Sequence, residues 1–244
     1  MNQLSVLLLT GANNHDWKRS APYLKKVLED SGRFAVTLTE DPSAALTDHA
    51  SLARYDVLLL DYNGPAWTEP AQANFLAAVR QGTGVVAVHA ANNSFPDWKE
   101  YEKMIGLMWR PESGHGQFHE FAVKITDRTH PITQGVADFR ITDELYHRLV
   151  PTPGTDLHVL ATAWSGEKTG GTERNEPVMT VTHYGKGRVF YQALGHLWAG
   201  VPTNGYIGCT LIALENPAFR QTLLRGCEWA ATGAVAAAVP AGKP

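Results

Sequence analysis

Ser5-Val6-Leu7-Leu8-Leu9 followed by Thr10-Gly11-Ala12-Asn13-Asn14 decides the fold class, because a continuous apolar run gives way at once to turn residues. An apolar run without polar alternation fits a strand covered on both faces, with a loop at its carboxyl end. Working outward, Lys18 to Ser31 carries Ala21, Leu24, Val27 and Leu28 at helical spacing and stops at Gly32. Phe34 to Thr39 alternates as a strand, and Val57-Leu58-Leu59-Leu60 is a second buried run. Thr68-Glu69-Pro70 opens a helix with Phe75, Leu76 and Val79 inward and Gly82 as its end, and Val85 to His89 is the next strand. This alternation with short joints predicts an α/β fold, a parallel sheet wrapped by helices through right-handed crossovers.

After residue 97 the pattern loosens. Asp97 to Gly106 reads as a short helix and Glu120 to Ile125 as a strand. Leu157 to Ala163, Val178 to Tyr184 and Arg188 to Ala193 add strands, the last two joined by a hairpin turn at Tyr184-Gly185-Lys186-Gly187. Asn216-Pro217 caps a final helix with Phe219, Leu223, Cys227 and Ala230 inward. The expectation is one domain over residues 1–233 with an irregular insertion in the middle, and a flexible tail over residues 234–244, which lack large apolar groups.

The 244 residues, 44% apolar and 18% charged, can bury a large core, and a net charge of −3 offers little attraction to phosphate backbones or anionic lipid. Neither nucleic acid nor a membrane is therefore an expected partner. No leader or membrane span is visible at Met1-Asn2-Gln3 or in the short run Leu4 to Leu9, so the expected location is cytoplasmic. Ten histidines stand beside two cysteines, Cys209 and Cys227, which form neither a disulfide framework nor a C-x-x-C pair.

Ligands of parallel sheets bind beyond the carboxyl ends of the strands, so residues just after strands carry the candidate chemistry. Asn13-Asn14-His15-Asp16-Trp17 follows the first strand, where Asp16 also suits a helix N-cap. His89-Ala90-Ala91-Asn92-Asn93 follows the fourth, and Gly195-His196-Leu197-Trp198 follows the last. His115-Gly116-Gln117-Phe118-His119 holds two imidazoles four apart, a weak metal signal that the flanking glycines place in a loop. Asp143-Glu144-Leu145-Tyr146 offers adjacent carboxylates, ordinarily solvated; on a strand only one of the two can enter a site. His130-Pro131-Ile132 reads as a turn. There is no G-x-G-x-x-G after the first strand, no P-loop and no G-x-S-x-G elbow, so no nucleotide cofactor is expected.

The ordered series His15-Asp16, Gly84 to His89, Gly114-His115-Gly116 with His119, His130-Pro131-Ile132, Asp143 to Tyr146, Tyr184 to Arg188 and Gly195-His196 resembles the ThuA-like (trehalose utilisation) family over residues 4–230. The resemblance implies a flavodoxin-like, three-layer sheet with helices on both faces, similar to class I glutamine amidotransferases. In those enzymes the position of His89 holds a nucleophilic cysteine and a position near His196 its histidine partner. No cysteine stands at or beside residue 89, so glutamine hydrolysis is not expected.

The resemblance also implies sugars oxidised to 3-keto forms, disaccharides among them, as substrates. A ketone acidifies its neighbouring C–H, so an imidazole or carboxylate can remove that proton while a cation stabilises the oxygen, leading to isomerisation, epimerisation or elimination. The catalytic candidates are His89, Glu144 and His196; the substrate-binding candidates are Asn13, His15, Asp16, Trp17, Asn92, His115, Tyr146 and Trp198. Trp98 and Trp109 stand near the same loops. A divalent metal, zinc or similar, is the expected cofactor, with His89, His119 and His196 as ligands. The alternative is a sugar-binding or regulatory module without turnover. Exposed aromatics would favour a homodimer.

Overall fold

In the computed structural model, which describes residues 3–236, β1 (Leu4–Leu9) sends Val6 and Leu8 into one apolar core and Leu7 and Leu9 into another. That is the consequence of period-two side chains on a strand covered from both sides. The chain continues through α1 (Trp17–Asp30), β2 (Phe34–Thr39), the single-turn helices α2 (Pro42–Ala45) and α3 (His49–Leu52), β3 (Val57–Leu60), α4 (Glu69–Gln81) and β4 (Gly84–Val88). A 3-10 turn, His89–Asn93, leads to α5 (Lys99–Ile105), β5 (Leu107–Met108), β6 (Gly114–Ile125), β7 (Phe139–His147) and β8 (Val150–Pro151). Then come β9 (His158–Ser165), β10 (Arg174–Tyr184), β11 (Gly187–Gln192), α6 (Ile212–Glu215) and α7 (Pro217–Thr232).

Among the described residues nine strands share one sheet in the order β2-β1-β3-β4-β11-β10-β9-β6-β7, while β5 and β8 pair separately. The first five are mutually parallel and run in the flavodoxin-like order. α1 and α7 pack one face through Ala21, Leu24, Leu28, Phe219, Leu223, Cys227 and Ala230. α4 and α5 pack the other through Phe75, Val79, Tyr101 and Met104. The expected α/β fold with helices on both faces is what the chain adopts. α7 starts as its sequence dictates, the Asn216 side chain accepting from the amides of Ala218 and Phe219.

The middle of the chain is more ordered than its sequence pattern. β10, β9, β6 and β7 extend the same sheet by antiparallel pairing. β6 begins at Gly114 instead of Glu120, because a register shift between His115 and Phe118 hides the alternation of its first residues. Of the expected tail, Val235 packs partly against the core and the Ala236 amide donates to Glu228 Oε1 at 3.1 Å; residues 237–244 lie outside the described residues. Among the described residues no helix is long and apolar enough to cross a membrane.

Candidate functional site

Because β1, β4 and β11 are parallel, their carboxyl ends open on one edge of the sheet, and each is followed by a histidine. Asn13 positions the first: its side-chain oxygen accepts from the His15 amide at 3.0 Å and its NH₂ donates to Asp61 Oδ1 at 3.1 Å. The Asp16 amide donates to the Leu197 carbonyl at 2.8 Å, tying this loop to the one after β11. His89 adopts a left-handed backbone, φ 48°, where β4 turns sharply into the 3-10 turn. Such a conformation costs about 1–3 kcal/mol in a residue with a Cβ and concentrates at functional sites. Gly195, φ 114°, turns the chain after β11 so that its own amide and that of His196 both donate to Asp143, at 2.7 and 3.2 Å.

The three imidazoles converge with one carboxylate. His15 Nε2 lies 3.2 Å from His89 Nε2, and His196 Nδ1 lies 3.0 Å from Glu144 Oε2. One ligand atom from each of His15, His89, Glu144 and His196 falls within 4.8 Å of all the others. On β7 the alternation separates the two adjacent acids: Glu144 faces the imidazoles, and Asp143, fully buried on the opposite side, holds the Gly195-His196 turn. Neither is solvated, contrary to the usual fate of such pairs. Burial raises the Asp143 pKa to about 6.

The hydrogen-bond pattern sets the protonation of the cluster. His89 Nδ1–H donates to the Ala193 carbonyl at 2.7 Å, leaving Nε2 as the acceptor for the Tyr146 hydroxyl at 2.8 Å. His15 Nδ1 is 3.1 Å from Asn14 Oδ1, which also accepts from Asn63 Nδ2 at 2.7 Å and so presents an acceptor. Both rings thus turn an Nε2 lone pair toward each other. Burial, reinforced by His196 and His115, lowers the His15 pKa to about 3. Burial, then His15 and His196, pushes His89 well below its usual value. His196 Nδ1 is buried near Glu144 without the alignment of a hydrogen bond and has no other partner among the described residues. Neutral imidazoles, an orphaned buried nitrogen and a carboxylate form a group that could hold a metal ion, with the Ala193 and Asn14 oxygens orienting the rings from behind.

The site includes some of the residues expected from sequence and leaves others out. Trp198 stacks on His15 with ring centroids 4.6 Å apart, and Tyr146 stacks on His89 at 4.4 Å. Trp109 meets Tyr146 edge-on at 4.7 Å. His115 lies at the rim, its Nδ1 3.6 Å from Glu144 Oε1. Asp16 instead faces Arg19 at 3.5 Å, Trp17 begins α1 beside the Lys18 ammonium, and Asn92 donates to the Leu107 carbonyl at 3.3 Å. Trp98 belongs to an aromatic group with Trp67, Phe75, Phe95 and Tyr101.

His119 does not join the cluster, and His15 stands where the expected metal set had it. His119 pairs across the sheet with Asp143, one residue out of phase with the Phe118–Glu144 pair, so it points to the opposite face and its Nδ1 donates to the Gln117 carbonyl at 2.6 Å. Nor do His115 and His119 sit in a loop; both are in β6. Asp61 and Tyr206 were not anticipated, and Asn14 and Phe118 lay in candidate stretches without an assigned role. Only Asn14, beside His15 in an amide-rich loop, carried a local signal; Phe118 and Tyr206 meet over His196 from distant segments.

The ThuA family model, described as trehalose utilisation, matches residues 5–230. The chain belongs to the ThuA family. A ThuA-like protein from Parabacteroides merdae is 34% identical and superposes with a TM-score of 0.86 over 98% of this chain and 94% of that one. A ThuA-like protein from Bacteroides uniformis is 17% identical, with a TM-score of 0.70 over 96% of this chain and 94% of that one. A cytoplasmic protein of Salmonella typhimurium, 13% identical, shares the fold with a TM-score of 0.65 over 93% of this chain and 100% of that one. None of the curated proteins matches the chain. Membership of the ThuA family brings a role in carbohydrate utilisation. The residue directly after β4 is His89, and neither cysteine belongs to the cluster.

Proposed function

We propose that this protein is a metal-dependent enzyme of carbohydrate utilisation that acts on a 3-keto sugar, such as an oxidised disaccharide, by removing the proton beside its carbonyl. The observation that carries this reading is the convergence of one ligand atom each from His15, His89, His196 and Glu144 within 4.8 Å of one another, with His196 Nδ1 buried and unpaired among the described residues. Leaving that buried nitrogen unpaired costs about 1–3 kcal/mol, a cost that a shared cation would remove. A divalent ion held there supplies a positive charge for the oxygen that becomes negative when the proton leaves.

The protein's own groups account for the rest. Tyr146 is kept as a phenol by burial and offers a hydrogen-bond donor at the cluster. Trp198 and Trp109 flank the cluster with flat apolar faces of the kind that hold sugar rings. Asp143 keeps the His196 turn in place.

Elemental analysis of the purified protein tests the centre, with one ion per chain expected and its loss in His89→Ala and Glu144→Gln. The metallated protein incubated with a 3-keto-disaccharide in D₂O is expected to place deuterium on the carbon next to the ketone. Absence of both the ion and the exchange overturns the enzyme reading; tight binding of the keto sugar without exchange supports a sugar-binding module in its place.

A further inference from the structure

We infer that His115 is the base that takes the proton from the sugar, receiving it on Nε2 at the rim of the buried cluster. This rests on the keto-sugar reading above and assigns a step that the cluster itself leaves open. Once His15, His89, His196 and Glu144 hold a cation, their lone pairs are engaged, and Tyr146 is a donor. The base has to come from the surrounding shell and be reachable by substrate.

His115 meets four requirements at once. Its Nδ1–H donates to the Gly116 carbonyl at 2.8 Å, which fixes the tautomer and leaves the Nε2 lone pair free. Its side chain is 40% exposed, whereas that of His196 is fully buried, so a substrate entering from solvent meets His115 first. Glu144 Oε1, 3.6 Å from Nδ1, lies at ion-pair distance from the imidazolium that forms, while the Nδ1–H itself stays on the Gly116 carbonyl. Finally, it belongs to the same sheet face as the cluster: His115 pairs with Tyr146 and Phe118 with Glu144, and the extra residue between them keeps both on the side of the imidazoles. The other two nearby histidines fail on this last count. His119 pairs with Asp143 and His147 follows Tyr146, so both are turned to the opposite face.

In the step itself the C–H bond beside the ketone breaks, its electron pair becomes a C=C bond, and the carbonyl oxygen takes the negative charge while the proton passes to Nε2. Because the imidazolium is open to water, that proton exchanges with solvent before it returns to carbon. A fully enclosed base would hand the same proton back.

The test measures three things on the full-length metallated protein: deuterium incorporation from D₂O into a 3-keto-disaccharide, bound metal, and melting temperature. His115→Ala and His115→Gln are expected to slow incorporation by about 10²–10⁴-fold, with metal content and melting unchanged, and added imidazole is expected to restore part of the rate in His115→Ala. Undiminished exchange in both variants overturns the role, and loss of metal in them overturns it too, by making His115 a ligand. A wild-type protein that holds metal and binds the keto sugar but never exchanges overturns the functional reading and this role with it. An active wild type with equally active variants overturns this role alone.

Discussion

At Asp61 a carboxylate is closed off from water just beyond β3, with Ser20 Oγ donating at 2.6 Å and Asn13 Nδ2 at 3.1 Å. Through Asn13 it holds the backbone of His15, so a residue outside the cluster sets the position of one of its candidate ligands. Burial raises its pKa to about 6, outweighing the two hydrogen bonds. Between the unfolded value near 3.8 and about 6, the folded protein keeps a proton that the unfolded chain has lost. This contribution to stability is complete below the unfolded value and is lost as pH rises through the folded one. Asp61→Asn removes the titration. Its stability relative to wild type is therefore expected to improve by on the order of 1–3 kcal/mol between acidic and neutral pH, read from urea unfolding at each end of the range. A gap that stays flat or narrows would show that burial does not govern this carboxyl. Asp61 had no signal in the sequence, because an acid after an apolar run looks the same whether it is buried or solvated.

β6 shows how one residue of register redistributes function along an element. In an unbroken strand His115 and His119 would share a face, as their spacing invites; the bulge between His115 and Phe118 changes the parity and sends His119 away. Gly116 lies in the bulge because of space. A Cβ there would stand 2.6 Å from the Thr169 carbonyl oxygen, in a turn held by the Thr169 and Gly170 amides. Gly116→Ala is expected to cost about 1–3 kcal/mol, read as a lower melting temperature, and to slow deuterium exchange by displacing His115. Metal content should be retained, because the four candidate ligands lie on other segments. Flanking glycines had argued for a loop at this stretch; Gly114 is paired in the strand and Gly116 marks a bulge, which sequence patterns do not separate from a loop.

Over the whole molecule, the sheet brings distant edges together. β7 lies four strands from β11 in the sheet order, about 19 Å across a flat sheet at the usual strand spacing of about 4.8 Å. Yet Glu144 Oε2 is 3.0 Å from His196 Nδ1. The antiparallel half must curl back over the carboxyl ends of the parallel half, and Asp143 and Glu144 join the two. A cation in the cluster would bridge them as well. Stripping it with a chelator is expected to destabilise the fold by about 2.7 kcal/mol at a free-ion level of about 100 times Kd, a fall in melting temperature of roughly 5–10 °C that zinc re-addition reverses. Calorimetry before and after verified removal checks this, and an unchanged transition would mean that the halves are joined without the ion.

The sequence by itself determined the local layers of this protein. Continuous apolar runs at Leu7 to Leu9, Val57 to Leu60 and Val85 to Val88 require strands covered on both faces, and the helices between them carry the matching apolar stripes. From that parallel order it follows that His15 and His89 share one edge, since each stands just after a parallel strand; that the strand before His196 is parallel to them was settled by the sheet. Only the tertiary structure decided which of them meet, that Glu144 faces the cluster while Asp143 holds its turn, and that His115 stays at the rim while His119 leaves. Those choices depend on the curl of the sheet and on one bulge, which set distances between residues far apart in the chain and leave no periodic trace along it.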